Sequence, residues 1–237
     1  MAHKEISPVI PLTSVVDHFL WCHDTAQGCQ GTSPISASEN EDAIITIALV
    51  AMSLEGYLNR ILFLLEDEDV RTIATSSCSA RFEQTAEKKL AAILPAKSDQ
   101  NLIAGVDELL TARNSLAHSH IYETDRDDGR NISKTDLRMA RNDPRWKRCV
   151  DPATFRTKTR QLNVVPSEVD FSDALTALEL WGDVHSALTE NLGDRHAYLP
   201  STYPAHYRTD LATQKKIDGL YAIHPSLRGY VLYGQGI

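Results

Sequence analysis

The stretch that decides the fold is Glu39–Leu65, ENEDAIITIALVAMSLEGYLNRILFLL. Its first four residues include three acids, Glu39, Glu41 and Asp42, which suit the positive end of a helix dipole. From Ala43 the apolar residues recur at helical spacing: Ile44, Ile47, Ala48, Ala51, Leu54, Leu58, Ile61, Leu62 and Leu65. A long amphipathic helix follows from that period. The apolar run Ala43–Met52 is too short to span a bilayer.

The same period marks further helices on either side. Pro11–His23 carries Val15, Val16, Phe19 and Leu20 on one side, and Asp24–Ser38, rich in Gly, Ser, Thr and Gln, reads as a loop. Arg81–Leu94 is a helix stopped by Pro95. Asp99 then looks like the cap of a helix running to about His120, with Val106, Leu110, Ala117 and Ile121 as its stripe. Phe171–Leu192 is the last long helix, capped near Asp170 or Ser172 and ended by Gly193. No segment shows the sustained alternation of a sheet. The expectation is an all-α bundle of about five main helices. It is divided into an N-terminal helix and loop (1–38), the bundle (39–192) with a basic insertion at about 123–166, and a Tyr-rich extension (193–237) laid over it.

Composition narrows the function classes. The 237 residues carry 42% apolar and 24% charged side chains, as in ordinary globular proteins. A net charge of -8 argues against a general nucleic-acid coat but leaves room for a local basic site. Met1–Pro11 lacks the apolar core of a secretory leader, and no CxxC pair occurs among the four cysteines, so a cytoplasmic setting is expected. GxSxG, HExxH, P-loop and GxGxxG patterns are absent.

Two charges stand where apolar residues belong. On the line Ile44, Ala48, Ala51, Glu55, Leu58, Leu62, Leu65, Glu55 is the exception. On Val106, Leu110, Arg113, Ala117, Ile121, it is Arg113. A charge on a core-facing stripe is costly unless paired or lining a cavity, so the two are expected to meet or to flank one polar pocket. A structural ion pair and a chemical site both fit. Arg113 opens Arg-Asn-Ser-Leu-Ala-His, residues 113–118. With 15 arginines and nine histidines in the chain, one Arg-x4-His by chance is unsurprising. The weight lies in its setting at the end of an amphipathic helix.

In ELLTARNSLAHSHIYE, the segment resembles the hallmark of the HEPN superfamily (higher eukaryotes and prokaryotes nucleotide-binding), Arg-polar-x3-5-His late in a helix. The helix MSLEGYLNRIL, with its acidic residue at Glu55, is similar to a second family feature. The resemblance covers about Glu39–Leu192. It implies a compact helical bundle acting as a metal-independent endoribonuclease with no cofactor, in a toxin or antiviral setting. Arg113, Asn114 and His118 would be catalytic, with Glu55 supporting. His120 is a rival for the histidine, and Tyr122, two residues after it, matches the tyrosine that nucleotidyltransferase antitoxins modify. A homodimer is implied as well, with RNA as substrate and an antitoxin or nucleotidyltransferase as partner. A non-catalytic module binding RNA, nucleotide or protein is the alternative.

The chemistry suits these residue types. RNA supplies its own nucleophile, the ribose 2′-OH, so the protein needs a proton shuttle and positive charge at the phosphate. Histidine titrates near neutrality, and arginine donates paired hydrogen bonds to phosphate. Arg113 and His118 diverge by about 140° on an ideal helix, so two motifs across a two-fold axis make a better site than one. From Arg126 to Arg160 there are eleven Lys or Arg and five Asp. Within this basic run Arg138, Arg141, Arg145, Lys147 and Arg148 are candidate RNA contacts, with Trp146 as a base-stacking surface, against the reading of a solvated loop. His18, Cys22, His23 and Cys29 match no common zinc spacing, and buried cysteine with surface histidine is the expectation there.

Overall fold

The helical periods translate into six α-helices among the described residues. The computed structural model describes residues 12–28, 35–69, 85–94, 100–117, 123–127, 131–136 and 144–192, with 215, 218–219, 221–222 and 224–225 beyond them. The helices are α1 (Leu12–Gly28), α2 (Ala37–Asp69), α3 (Ala86–Ile93), α4 (Gln100–Ala117), α5 (Pro144–Cys149) and α6 (Phe171–Leu192). The class is all-α. None of these helices is long and apolar enough to cross a membrane.

Helix ends follow local chemistry. Asp170 caps α6 as expected, its Oδ1 accepting from the amides of Ser172 (2.8 Å) and Asp173 (3.2 Å). At α2 the cap is Ser36, whose Oγ accepts from the Glu39 amide at 3.1 Å. The helix therefore begins earlier than the acidic run suggests. Ser36-x-x-Glu39 is a capping-box spacing, but the Glu39 carboxylate turns instead to the Phe171 amide at 3.2 Å. Helix α1 runs to Gly28, past the expected stop at His23, because its polar last turn is solvent-facing and needs no apolar stripe.

Side-chain contacts give the helix directions. His18 meets Asp42 and Cys22 meets Glu39, so α1 runs antiparallel to α2. Glu39 meets Phe171 and Tyr57 meets His185, so α2 and α6 run parallel. Helix α1 shares one core with α2, α4 and α6 through Val15, Val16, Phe19 and Cys22. Helix α4 is the central helix: Gly105 to Ala112 are buried on every side. Those buried residues include Asp107 and Glu108, whose carboxylates must be satisfied from outside the helix, whereas the Thr111 hydroxyl donates back to the Asp107 carbonyl at 2.8 Å.

The satisfying groups come from residues 144–170, and here the expectation needs correction. This stretch sends apolar side chains into the core while keeping exposed residues such as Lys147 and Lys158. Trp146, Cys149, Val150, Phe155, Leu162, Val164, Val165 and Val169 are all buried. Its backbone is irregular, joined by isolated bridges Val150↔Thr157 and Arg156↔Asn163, with left-handed φ values of 56° at Phe155 and 59° at Gln161. Three buried carboxylates clasp it. Asp107 binds Arg145 and Arg148, Glu108 accepts from the amides of Thr159 and Arg160 at 2.8 Å each, and Asp173 accepts from Asn163 N at 2.9 Å. Asn40 of α2 closes the other end, donating to the carbonyls of Pro166 (2.7 Å) and Val169 (2.8 Å).

A second departure is a small antiparallel hairpin, β1 (Glu123–Asp127) with β2 (Asn131–Asp136), paired through Asp127↔Asn131 and Arg126↔Ile132. Its residues are too polar to alternate, so a strand pattern was not visible. Asp128-Gly129, between the strands in sequence, is the one hairpin signal there.

Candidate active site

Helices α2 and α4 bring the two anomalous charges together. Arg113 Nη2 donates to Glu55 Oε2 at 2.9 Å. The side chains keep 25% and 36% of their exposure, so the pair lies at the edge of the core and within reach of solvent. The reason is register. The fully buried line of α2 is Ala43, Ile47, Val50, Leu54, Leu58, Ile61, which runs beside Glu55 rather than through it. On α4, Leu102, Val106, Leu109, Ala112 and Leu116 are buried while Arg113 and Asn114 are half-buried on the border. A partly exposed ion pair of this kind adds little to stability, on the order of 1 kcal/mol or less.

The guanidinium is incompletely satisfied. Arg113 Nε is buried and has no hydrogen-bond partner among the described residues. Beside it stands a group that sequence reasoning passed over. Lys89 of α3 is 5% exposed, and its Nζ donates to Asn59 Oδ1 at 2.5 Å. Asn59 is one helical turn from Glu55 on the same face of α2. Burial pulls the Lys89 amine below its ordinary value of 10.5, and the Glu55 charge partly restores it. Among the described residues the cluster therefore holds one carboxylate against two cations, drawn from three helices. The available signal was Lys89 itself, a lysine on the apolar side of EKKLAAIL.

The remaining candidates are placed as follows. Helix α4 ends at Ala117, and His118, His120 and Tyr122 lie outside the described residues, as do Arg138 and Arg141. Arg145 is committed to carboxylates, Nε to Asp107 at 2.5 Å and Nη2 to Glu87 at 2.9 Å. Arg148 binds Asp107 through Nη2 at 2.6 Å and Nε at 2.8 Å. Trp146 is buried against Phe155, so its ring is covered rather than offered for stacking. Lys147 is exposed. Among the described residues of the basic run, Arg145, Arg148 and Arg160 are thus neutralised internally, by acids that the sequence places far from them. Among the described residues of the run, Trp146, Cys149, Val150, Phe155 and Thr157 are buried, while Lys147, Arg148 and Lys158 remain exposed.

Two other clusters lie apart. Cys22 is fully buried, and burial, then the charges of Glu39, Asp42 and Asp170, push its thiol up to about 12. His18 and His23 are partly buried rather than on the surface, and His23 packs edge-on to Phe171 and His224. No group of three or more His, Cys, Asp or Glu suited to a metal occurs among the described residues, and Cys29 lies outside them. The Tyr57 hydroxyl and His185 Nδ1 share a hydrogen bond of 2.9 Å beside Trp181, about 200° around α2 from Glu55 and so on another face. Tyr221 is buried, and His224 packs on Phe19 and Phe171, so these described residues of the C-terminal part lie against the bundle.

The chain matches no protein-family model, and comparison with curated proteins and with solved structures finds no match.

Proposed function

We propose that this protein is a metal-independent endoribonuclease of the HEPN type, working as a homodimer in a toxin or antiviral role. The observation that carries the reading is Arg113. It sits at the core's edge near the end of α4, held by Glu55 from α2, with a buried N–H that has no partner among the described residues. A purely structural pair has no use for that unsatisfied donor, which costs about 1–3 kcal/mol. A phosphate oxygen would satisfy it.

In this reading Arg113 neutralises the phosphate and the charge that develops on it. His118, just past the last described turn of α4, takes the 2′-OH proton, and the 2′-oxygen attacks phosphorus. The bond to the 5′-oxygen breaks, and that oxygen leaves with a proton from an acid. The histidine of a second subunit fills the acid role. Asn114 orients the histidine four residues on or binds a phosphate oxygen. The products are a 2′,3′-cyclic phosphate and a 5′-hydroxyl end.

The test is RNA cleavage in EDTA by the wild type and by Arg113→Ala, His118→Ala and His120→Ala. Arg113→Ala should lose at least about a hundredfold in rate, the scale of removing one group that stabilises transition-state charge. Equal activity in all four proteins sinks the nuclease. A second reading, a module that binds RNA, nucleotide or protein without cleaving, draws support from the internal neutralisation of Arg145 and Arg148, which leaves less cationic surface for a long RNA. Binding lost on Arg113→Ala, with no cleavage by the wild type, selects it.

A further inference from the structure

We infer that Lys89, together with Asn59, forms the second half of the phosphate site: its amine and the Arg113 guanidinium take oxygens of the same phosphoanion from two adjacent helices. This rests on reading Arg113 as a phosphate ligand.

Three observations converge on it. Lys89 is 5% exposed, yet its one hydrogen-bond acceptor among the described residues is the neutral amide oxygen of Asn59. A buried ammonium is ordinarily matched by a carboxylate, because a neutral dipole returns only part of its lost hydration. Its three N–H groups leave two donors beyond the bond to Asn59. Second, the carboxylate that bears on Lys89 among the described residues is already engaged: Glu55 Oε2 holds Arg113 Nη2 at 2.9 Å. Among the described residues, one negative and two positive groups leave an excess of one positive charge at the edge of the core, in a chain of net charge -8. Third, Arg113 Nε is buried without a partner among the described residues, so the second cation has an unfilled donor as well. An anion with several acceptor oxygens meets all three needs at once. Phosphate, with its tetrahedral oxygens, can accept from a planar guanidinium on one side and a point-like ammonium on the other.

Asn59 is the positioning residue. As a neutral acceptor it keeps the lysine from swinging out to solvent without cancelling its charge. A carboxylate at that position would neutralise the amine and close the site.

The experiment is a sulfate titration followed by NMR chemical shifts or calorimetry, since sulfate keeps its charge across the working pH range. Wild type, Lys89→Met, Lys89→Arg and Asn59→Asp are compared, each first checked for a cooperative thermal transition. Lys89→Met should weaken sulfate binding by about 10- to 100-fold, the scale of one charge-assisted hydrogen bond, while Lys89→Arg retains most of it. In the wild type, affinity should fall as pH rises, starting below the pH at which an exposed lysine deprotonates. With Lys89→Arg that fall should disappear. Wild-type affinity in a folded Lys89→Met protein overturns the inference, as does the absence of saturable binding to the wild type. Should Lys89→Met fail to fold, Asn59→Asp decides: weakened sulfate binding supports the site, and unchanged binding overturns it. Cleavage separates the two ideas. Binding through Lys89 without RNA cleavage keeps this site and removes the nuclease. Cleavage with an unchanged KM in Lys89→Met keeps the nuclease and removes this site.

Discussion

Replacing Asp107 by Asn tests whether the core segment 144–170 is held by charge. The Asp107 side chain is only 7% exposed and accepts from Arg145 Nε (2.5 Å), Arg148 Nε (2.8 Å), Arg148 Nη2 (2.6 Å) and Cys149 Sγ (3.1 Å). Asparagine keeps one oxygen acceptor and turns an NH2 group toward a guanidinium. Breaking a buried ion pair by removing one partner costs about 3–5 kcal/mol. Two facts reduce this. Arg148 is 60% exposed and can hydrate, and Arg145 retains Glu87 at 2.9 Å. The expected loss is about 2–3 kcal/mol, a fall in Tm of about 4–12 °C for a domain of this size. Thermal melts and urea titrations measure it. A loss under about 1 kcal/mol with an unchanged m-value refutes the reasoning. The pH dependence has a defined sign. Burial pushes the Asp107 carboxyl up, but hydrogen bonds from Arg148, Cys149 and Arg145 and the Arg145 charge outweigh it, leaving the folded value below the ordinary 3.8. The stabilisation is therefore complete above that ordinary value and is lost as pH falls through the folded one. Wild type and Asp107→Asn should converge in stability at the acid end and separate above about pH 5.

Other expectations are shorter. Cys149 is buried, and burial is the chief influence pushing its thiol up to about 11, with Cys22 at about 12. Neither should react with iodoacetamide at pH 8 in the native protein, and both should react in guanidinium, as peptide mass mapping would show. Gly105→Ala should lose about 1 kcal/mol net despite the better helix former, because its Cβ would stand 2.8 Å from Arg160 Nε and 3.0 Å from Leu180 Cδ1. A gain in Tm would show that Arg160 moves at no cost. Asp170→Ala should cost about 1 kcal/mol through the lost cap of α6, and an unchanged urea midpoint would contradict it.

What was legible in the sequence was what repeats. The period of α2, the bounds Phe171–Leu192 of α6 with Asp170 as its cap, and the meeting of Glu55 with Arg113 all follow from a 3.6-residue pattern and its exceptions. Residues 144–170 were illegible because Trp146, Val150, Phe155, Leu162 and Val169 share no period, and their backbone is pinned by individual side chains. The charges in that stretch look like surface until their partners are known. Asp107, 38 and 41 residues away, is the partner of Arg145 and Arg148, and Asp183 that of Arg160. Lys89 was missed for the same reason: it lies on a short helix, and only the fold puts Asn59 beside it.

The clasp between Asn40 and the carbonyls of Pro166 and Val169 joins positions 126 and 129 residues apart, and Glu39 waits for Phe171 across 132. On a ribosome adding about 5–20 residues per second, the start of α2 emerges some 6–26 s before its partners are made. Through that interval its apolar face, from Ala43 to Ile61, can be covered only by α1 and whatever follows in order. Closure of this seam is a late event in synthesis, and slow codons or a chaperone would exert their influence before residue 171 appears.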